Sequence, residues 1–400
     1  MTGIDYYIEK LKLTNFLSYE DIEVKLGALN ILIGVNGSGK SNFLQAFNLL
    51  HALPNNFWSF FNSNGRTEDW IYNGDGGDCN VTVEATFNRN ASNSPFRHNI
   101  EFGVSNSRTE IYNEIIEWIP DEPTDRVTTL YDYKYGSPVI YSERLGKLET
   151  ILREDVSPQS SILTQRKDPQ NYTMLAVVSS LYSRFVHLDT QFGLSENIRR
   201  PQRADAQNEN ALDPDARNLP IILNHLDALN PDAFNKIENT LKRILPRTRA
   251  IKIVSSLGMI TALLREEIAG APRQIPIQRI SDGTLRFLCL LVILLSPNPP
   301  PLICIEEPEI GMHPEMLLVI AELLKEASTH TQIIVTTHSD ILLSMFEPED
   351  VLVCEHDGAK SSITRLDADS LSHWLEEYTL GDLWLRNVFG GMRNDPPLEV

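Results

Sequence analysis

Residues Gly34-Val35-Asn36-Gly37-Ser38-Gly39-Lys40-Ser41 follow directly on the apolar run Leu29-Asn30-Ile31-Leu32-Ile33. The spacing G-x-x-x-x-G-K-S at a strand-to-helix turn describes a phosphate cradle. Backbone N–H groups of such a loop surround phosphates, the lysine reaches their β and γ oxygens, and the hydroxyl is offered to Mg²⁺. The helix expected to follow, Ser41 to Phe47, presents the positive end of its dipole to the same anion. Gly34, Asn36, Gly37, Ser38, Gly39, Lys40, Ser41 and Asn42 are therefore the candidate nucleotide-binding residues.

The chain has 400 residues, 42% of them apolar, enough for a sizeable core and for two or three domains or one with a large insertion. With 35 basic against 54 acidic residues its formal charge is −19, so the surface as a whole should repel nucleic acid and anionic lipid. Nucleic-acid contact would need a local basic strip, and only Arg199 to Arg203 and Arg243 to Arg249 offer one. Cys79, Cys289, Cys304 and Cys354 form no C-x-x-C pair, which argues against a zinc ribbon and suits a reduced compartment. The longest apolar stretch, Phe287 to Leu295, is too short to span a bilayer, and Met1 to Asp5 lacks the features of a signal peptide. A soluble cytoplasmic protein with no membrane contact is expected.

Periodicity predicts strands at residues 8–13, 22–26, 29–33 and 80–87, with a polar stretch rich in Asn and Gly from Pro54 to Asp78. Between Asn88 and Gln274 it predicts strands near 111–119 and 249–254 and helices near 171–185 and 231–245. That region has no sustained heptads and reads as globular, not as a coiled-coil arm. Ser281 stands in N-cap position before an all-round apolar helix from Asp282 to Leu295. A buried strand, Leu302 to Ile305, then ends in Glu306-Glu307, Pro314 opens another helix, and Gln332 to Thr337 leads to His338. Strands alternating with helices imply a mostly parallel sheet with ligands at the carboxyl ends of its strands.

Five segments in this order, Asn15-Phe16-Leu17-Ser18, Gly34 to Ser41, Ser281-Asp282-Gly283-Thr284-Leu285-Arg286, Ile305-Glu306-Glu307-Pro308-Glu309 and Thr336-Thr337-His338-Ser339, resemble the ATP-binding-cassette ATPases of the RecF/SMC-like branch. Within that branch the chain is similar to stand-alone bacterial ATPases related to the OLD (overcoming lysogenization defect) family. The resemblance implies an α/β fold: an ABC-type P-loop ATPase head, its mostly parallel sheet joined by an N-terminal antiparallel β portion and an inserted α+β region. The expected divisions are a nucleotide-binding lobe at 1–90, an insert at 91–270, a signature, Walker B and H-loop lobe at 271–345, and a C-terminal cap at 346–400.

The resemblance also implies roles in ATP hydrolysis, a reaction that asks a protein for charge neutralisation and a positioned water. Lys40 would neutralise the β and γ phosphates while Ser41 and Glu306 hold Mg²⁺. Glu307 would orient or activate the attacking water, and His338 would hydrogen-bond the γ phosphate. Gln165 is a candidate for a glutamine that senses the γ phosphate and the metal. Ser281 and Gly283 would grip the γ phosphate held by a second subunit, with Asp282 standing where the family more often has glycine. That grip implies a head-to-tail homodimer closed by two ATP molecules, crossed by the segment containing Glu309, Gly311 and His313. Arg286 is expected to pair with acidic neighbours in the core and is given no catalytic part.

The function expected is that of an ATPase switching a protein partner, an effector or a nuclease subunit of anti-phage defence. A RecF-like DNA-repair ATPase and an ATP-gated scaffold with negligible turnover are the alternatives. OLD-type nucleases carry a further metal-dependent domain, whereas Cys354-Glu355-His356-Asp357 is a lone acidic cluster, so no nuclease activity is expected in this chain.

Overall fold

The computed structural model describes residues 6–72, 80–88, 95–105, 108–119, 128–134, 138–194, 198–203 and 211–391; Cys79 and the first five residues lie outside them. The chain divides into two compact units, one formed by residues 1–185, 350–366 and 389–400, the other by residues 186–349 and 367–388.

The first unit begins with β1 (Tyr7–Phe16), β2 (Tyr19–Lys25) and β3 (Leu29–Ile33), followed by α1 (Lys40–Ala52) and α2 (Phe57–Asn64). Six strands come next: β4 (Asn80–Asn88), β5 (Phe96–Ser105), β6 (Arg108–Trp118), β7 (Thr128–Lys134), β8 (Val139–Ser142) and β9 (Lys147–Thr150). Helices α3 (Ile162–Gln165) and α4 (Thr173–Ser183) close the run. Strands β2-β1-β4-β5-β6-β7-β8-β9 pair in that order, each pair antiparallel. The period-two pattern sets which face is inside: Val81, Val83, Ala85 and Phe87 of β4 are buried and the residues between them half-exposed.

Helix α2 falls within the stretch read as polar from sequence, and its aromatic residues explain why it folds. The Phe57 and Phe61 rings lie 5.5 and 5.4 Å from that of Phe102 on β5, and Phe61 is 5.6 Å from Trp70. Burying several rings outweighs the asparagines scattered between them.

The second unit contains β10 (Val186–Leu188), β11 (Gln202–Arg203), α5 (Leu219–Leu229), α6 (Pro231–Ile244), β12 (Thr248–Ser256), β13 (Met259–Ile268) and β14 (Ala271–Pro276). It continues with α7 (Asp282–Leu294), β15 (Leu302–Glu306), α8 (Pro314–Ala327), β16 (Gln332–Thr336), α9 (Asp340–Leu343), α10 (Ala368–Leu375) and α11 (Leu380–Leu385). Strands β10, β15 and β16 are parallel neighbours in that order. All five residues of β15 are buried, as expected of a parallel strand covered on both faces. Strand β13 pairs antiparallel with β12 on one edge and with β11 and β14 on the other. The chain re-enters the first unit as β17 (Val351–His356), parallel to β3, and β18 (Ser361–Arg365), antiparallel to β17.

Helix α7 buries eleven of its thirteen residues, including every one from Leu285 to Leu294. With each fully buried large apolar side chain worth about 1.5–3 kcal/mol, this helix is anchored in its unit. Its first turn therefore occupies a defined place.

Candidate active site

The candidate residues fall into two sets. In the first unit, the last buried residue of β3, Ile33, passes the chain into loop 34–39, which leads into α1. Two features leave the start of α1 open to an anion: its N-cap, Gly39, has no side chain to bond the first N–H groups, and its first turn has no acidic residue. Lys40 is buried, and its Nζ donates to the carbonyls of Gly34 (2.8 Å) and Val35 (3.1 Å), which holds the ammonium within the loop. Ser38 Oγ is buried with no hydrogen-bond partner, while Asn36, Gly37 and Ser41 are exposed. A buried hydroxyl left unsatisfied costs stability that an anionic ligand's oxygen would recover. The loop fits a phosphate.

The floor of the loop comes from distant sequence. Cys354 Sγ donates to the Ser38 carbonyl (3.2 Å), and Tyr19 OH donates to the Gly39 carbonyl (2.9 Å). Burial pushes the Tyr19 hydroxyl well above its ordinary range, so it stays a donor. At Gly34 the approach is closest: a Cβ there, at φ 148°, would lie 2.2 Å from the Cys354 carbonyl oxygen. Asn42 turns its side-chain amide to Ser18 Oγ (2.9 Å), and Ser361 Oγ bonds the same hydroxyl (2.8 Å).

In the second unit, β15 ends at Glu306 and β16 at Thr336, with Glu307 N–H donating to the Thr336 carbonyl (2.9 Å). Glu307 has φ 45°, in the left-handed region that a non-glycine residue rarely enters, and it precedes Pro308. Such a conformation costs about 1–3 kcal/mol and persists only where surrounding bonds impose it. Glu307 Oε1 stands 3.8 Å from His338 Nε2, so the two residues named for the γ phosphate and the water are neighbours. Glu306, 8% exposed, is hydrogen-bonded through its Oε1 to His187 Nε2 of β10 at 2.8 Å.

Sequence does not single out His187, which precedes no recognisable motif. Glu309 takes a part other than the interface one its segment implies: its Oε1 accepts the His338 N–H (2.6 Å) and its Oε2 is buried. Burial raises its pKa above the usual carboxylate value. Its position one residue beyond Pro308 is the only sequence signal that could have placed it here.

Ser281 caps α7 as its position predicts, its Oγ accepting from Thr284 N–H (3.3 Å). Asp282 pairs with Arg199, which also donates to the Ile280 carbonyl (2.8 Å), so one arginine of the first basic cluster serves the entrance of α7. Gly283 meets the backbone of Gly311, where a Cβ would sit 2.0 Å from the Gly311 carbonyl oxygen. No rotation relieves a clash between Cβ and backbone. Gly283→Ala is therefore expected to destabilise the fold by about 1–3 kcal/mol; an unchanged thermal melt would show that this contact is not tight. His313 caps α8, its Nδ1 accepting from Glu315 N–H (3.4 Å). Gln165 lies in the first unit, where its carboxamide donates to the Ser157 (3.1 Å) and Ser160 (2.6 Å) carbonyls and accepts from Ser157 N–H (2.8 Å).

Arg286 departs from expectation. Its guanidinium bonds backbone carbonyls, those of Thr190 (2.6 Å) and Glu307 (3.2 Å), instead of carboxylates. Burial of the charge lowers its pKa.

Among the described residues no cluster of three or more His, Cys, Asp and Glu is arranged to hold a metal ion. A magnesium ion bound with nucleotide draws most of its shell from phosphates and water and needs only one or two protein oxygens; Ser41 in the first unit and Glu306 in the second each carry an oxygen of that kind.

The family described as "AAA domain, putative AbiEii toxin, Type IV TA system" matches residues 29–344, from β3 through α9. The chain belongs to this family. It is also 44% identical over 48 residues to the DNA replication and repair protein RecF of Paenarthrobacter aurescens (strain TC1), a stretch that spans only 12% of either chain. Among solved structures it is similar to an SMC head bound to the C-terminal winged-helix domain of ScpA, with TM-score 0.57 and 15% identity over 92% of this chain and 99% of that one. A Pyrococcus furiosus Smc head bound to the C-terminal domain of ScpA gives 0.54 and 14%, covering 93% and 99%. The fold is that of an SMC-head-like P-loop ATPase in the RecF/SMC-like branch. Its antiparallel sheet extends from the N-terminal strands far into the segment after α2.

Proposed function

We propose that this chain binds ATP with magnesium and hydrolyses it, and that nucleotide closes two copies head to tail to switch a protein partner. The observation that carries the reading is loop 34–39, with an uncapped helix start, a buried lysine and the unsatisfied Ser38 hydroxyl. Lys40 and the α1 N–H groups take the phosphate charge. Magnesium, when bound with the nucleotide, would supply charge neutralisation at the phosphates. Ser41 of the first unit and Glu306 of the second are the residues that would hold it, His187 bonds the Glu306 carboxylate, Glu307 would take a proton from the attacking water, and His338 would hydrogen-bond the γ phosphate. Gln165 joins only by giving up its bonds to the 157–160 turn.

Exposed Ser281, the cap of α7, is the surface offered to a second copy, with buried Gly283 packed behind it on Gly311. The ScpA-bound SMC heads support a protein partner, and the toxin–antitoxin family description supports a defence effector. A cytoplasmic setting agrees with this, and among the described residues no helix is long and apolar enough to cross a membrane. Sedimentation tests the closure. With Mg²⁺ and ATP, Glu307→Gln is expected to run as a dimer, and Glu307→Gln combined with Ser281→Arg as a monomer. Equal dimerisation of the two variants would refute the head-to-tail contact.

A further inference from the structure

Arg286 is the one charged residue among the ten consecutive buried positions of α7 from Leu285 to Leu294, and it is 1% exposed. Its guanidinium lies over the Phe192 ring, 4.2 Å from the centroid, and Gly193 passes so close that a Cβ there would come 3.0 Å from Arg286 Cγ. Nη1 donates to the Thr190 carbonyl and Nη2 to that of Glu307; Nε is buried without a partner. Packing alone does not account for this choice, because an apolar side chain would fill the same space without desolvating a cation. What only an arginine supplies is a planar fork that reaches two carbonyls at once.

The second of those carbonyls belongs to the residue with the costliest backbone in the site. Glu307 is held left-handed ahead of Pro308 by its own N–H on Thr336 and by Nη2 on its carbonyl. Rotating the Glu307 peptide would break the second bond and swing the carboxylate, since φ and the side-chain direction turn together.

We propose that Arg286 is a positioning residue for ATP hydrolysis, fixing the Glu307 backbone turn and so making the aim of its carboxylate depend on the placement of the signature helix α7. This rests on the reading of Glu307 as the residue that activates water. Arg286 touches neither nucleotide nor water; it acts through the peptide it holds.

The test compares parent, Glu307→Gln, Arg286→Met and Arg286→Lys, with Arg286→Ala assayed with and without millimolar guanidinium ion. Each is measured for ATP affinity, kcat, KM and thermal melting, at a temperature where all are folded. Arg286→Met is expected to lose about 100-fold in kcat, the scale set by a misplaced catalytic group, with ATP affinity unchanged. Arg286→Lys, which replaces the fork with a point charge, is expected to lose about tenfold. Guanidinium should restore kcat to Arg286→Ala and leave Glu307→Gln inactive. A parent-like kcat in Arg286→Met or Arg286→Lys, a fall in kcat matched by the loss of folded protein, or no guanidinium response overturns the proposal. Glu307→Gln distinguishes the two failures: if it hydrolyses ATP like the parent, the reading of Glu307 fails and the positioning role with it. If it is inactive while the Arg286 variants are normal, the positioning role alone fails.

Discussion

Glu307→Gln is expected to bind ATP like the parent and to release phosphate about 10²–10⁴-fold more slowly, the range associated with loss of a general base. The amide keeps the volume and the backbone of the glutamate, so the turn imposed by Thr336, Arg286 and Pro308 remains. What disappears is the proton acceptor 3.8 Å from His338. Nucleotide affinity should be spared because the groups proposed to bind phosphate reside in loop 34–41. Rapid-quench measurement of phosphate alongside an ATP titration separates the two steps. A variant that turns over at the parent rate would remove Glu307 from the chemistry and leave its strained backbone unexplained.

Lys40→Met should act on the opposite step. Each hydrogen bond from a charged donor is worth about 1.5–3 kcal/mol, and about 1.4 kcal/mol is a tenfold change in affinity, so losing the ammonium should weaken ATP binding by about 100-fold. Hydrolysis should fall further, because charge building up on the transferred phosphoryl group loses the same cation. The variant also leaves the Gly34 and Val35 carbonyls without their donor, and the loop itself should loosen. Calorimetry of ATP binding to parent and variant decides the matter. Equal affinities would mean that loop 34–41 is not where the triphosphate is held.

Local periodicity made several elements legible. Strand β3, helix α6 and helix α7 lie within a residue or two of their predicted bounds, because β3 is a short, mostly apolar run before the glycine-rich loop, α6 has regularly spaced apolar residues and α7 a nearly continuous run, and each helix has a clear start signal, Pro231 or Ser281. The long antiparallel sheet was harder to read. Its strands β5, β7, β8 and β9 depend on pairing with neighbours more than on their own composition, and α2 on aromatic contacts across the fold. The same division holds at the site. Lys40, Glu306, Glu307 and His338 stand in recognisable runs. His187 lies in no motif, and although Glu309 and Arg286 fall within motif segments, the parts they take come from the tertiary contacts that bring each to another motif residue.

The two supports beneath loop 34–39 come from opposite sides of it in the sequence, Tyr19 before it and Cys354 more than three hundred residues after it. A ribosome exposes the first of these before the loop and the second only after more than three hundred further residues. Until β17 docks beside β3, the Ser38 carbonyl has no thiol to receive, and nothing confines Gly34 to its narrow path. The bed of the loop is thus complete only once β17 has been made, and a chain halted before Val351 would carry the eight motif residues intact yet lack the support on which they are shaped.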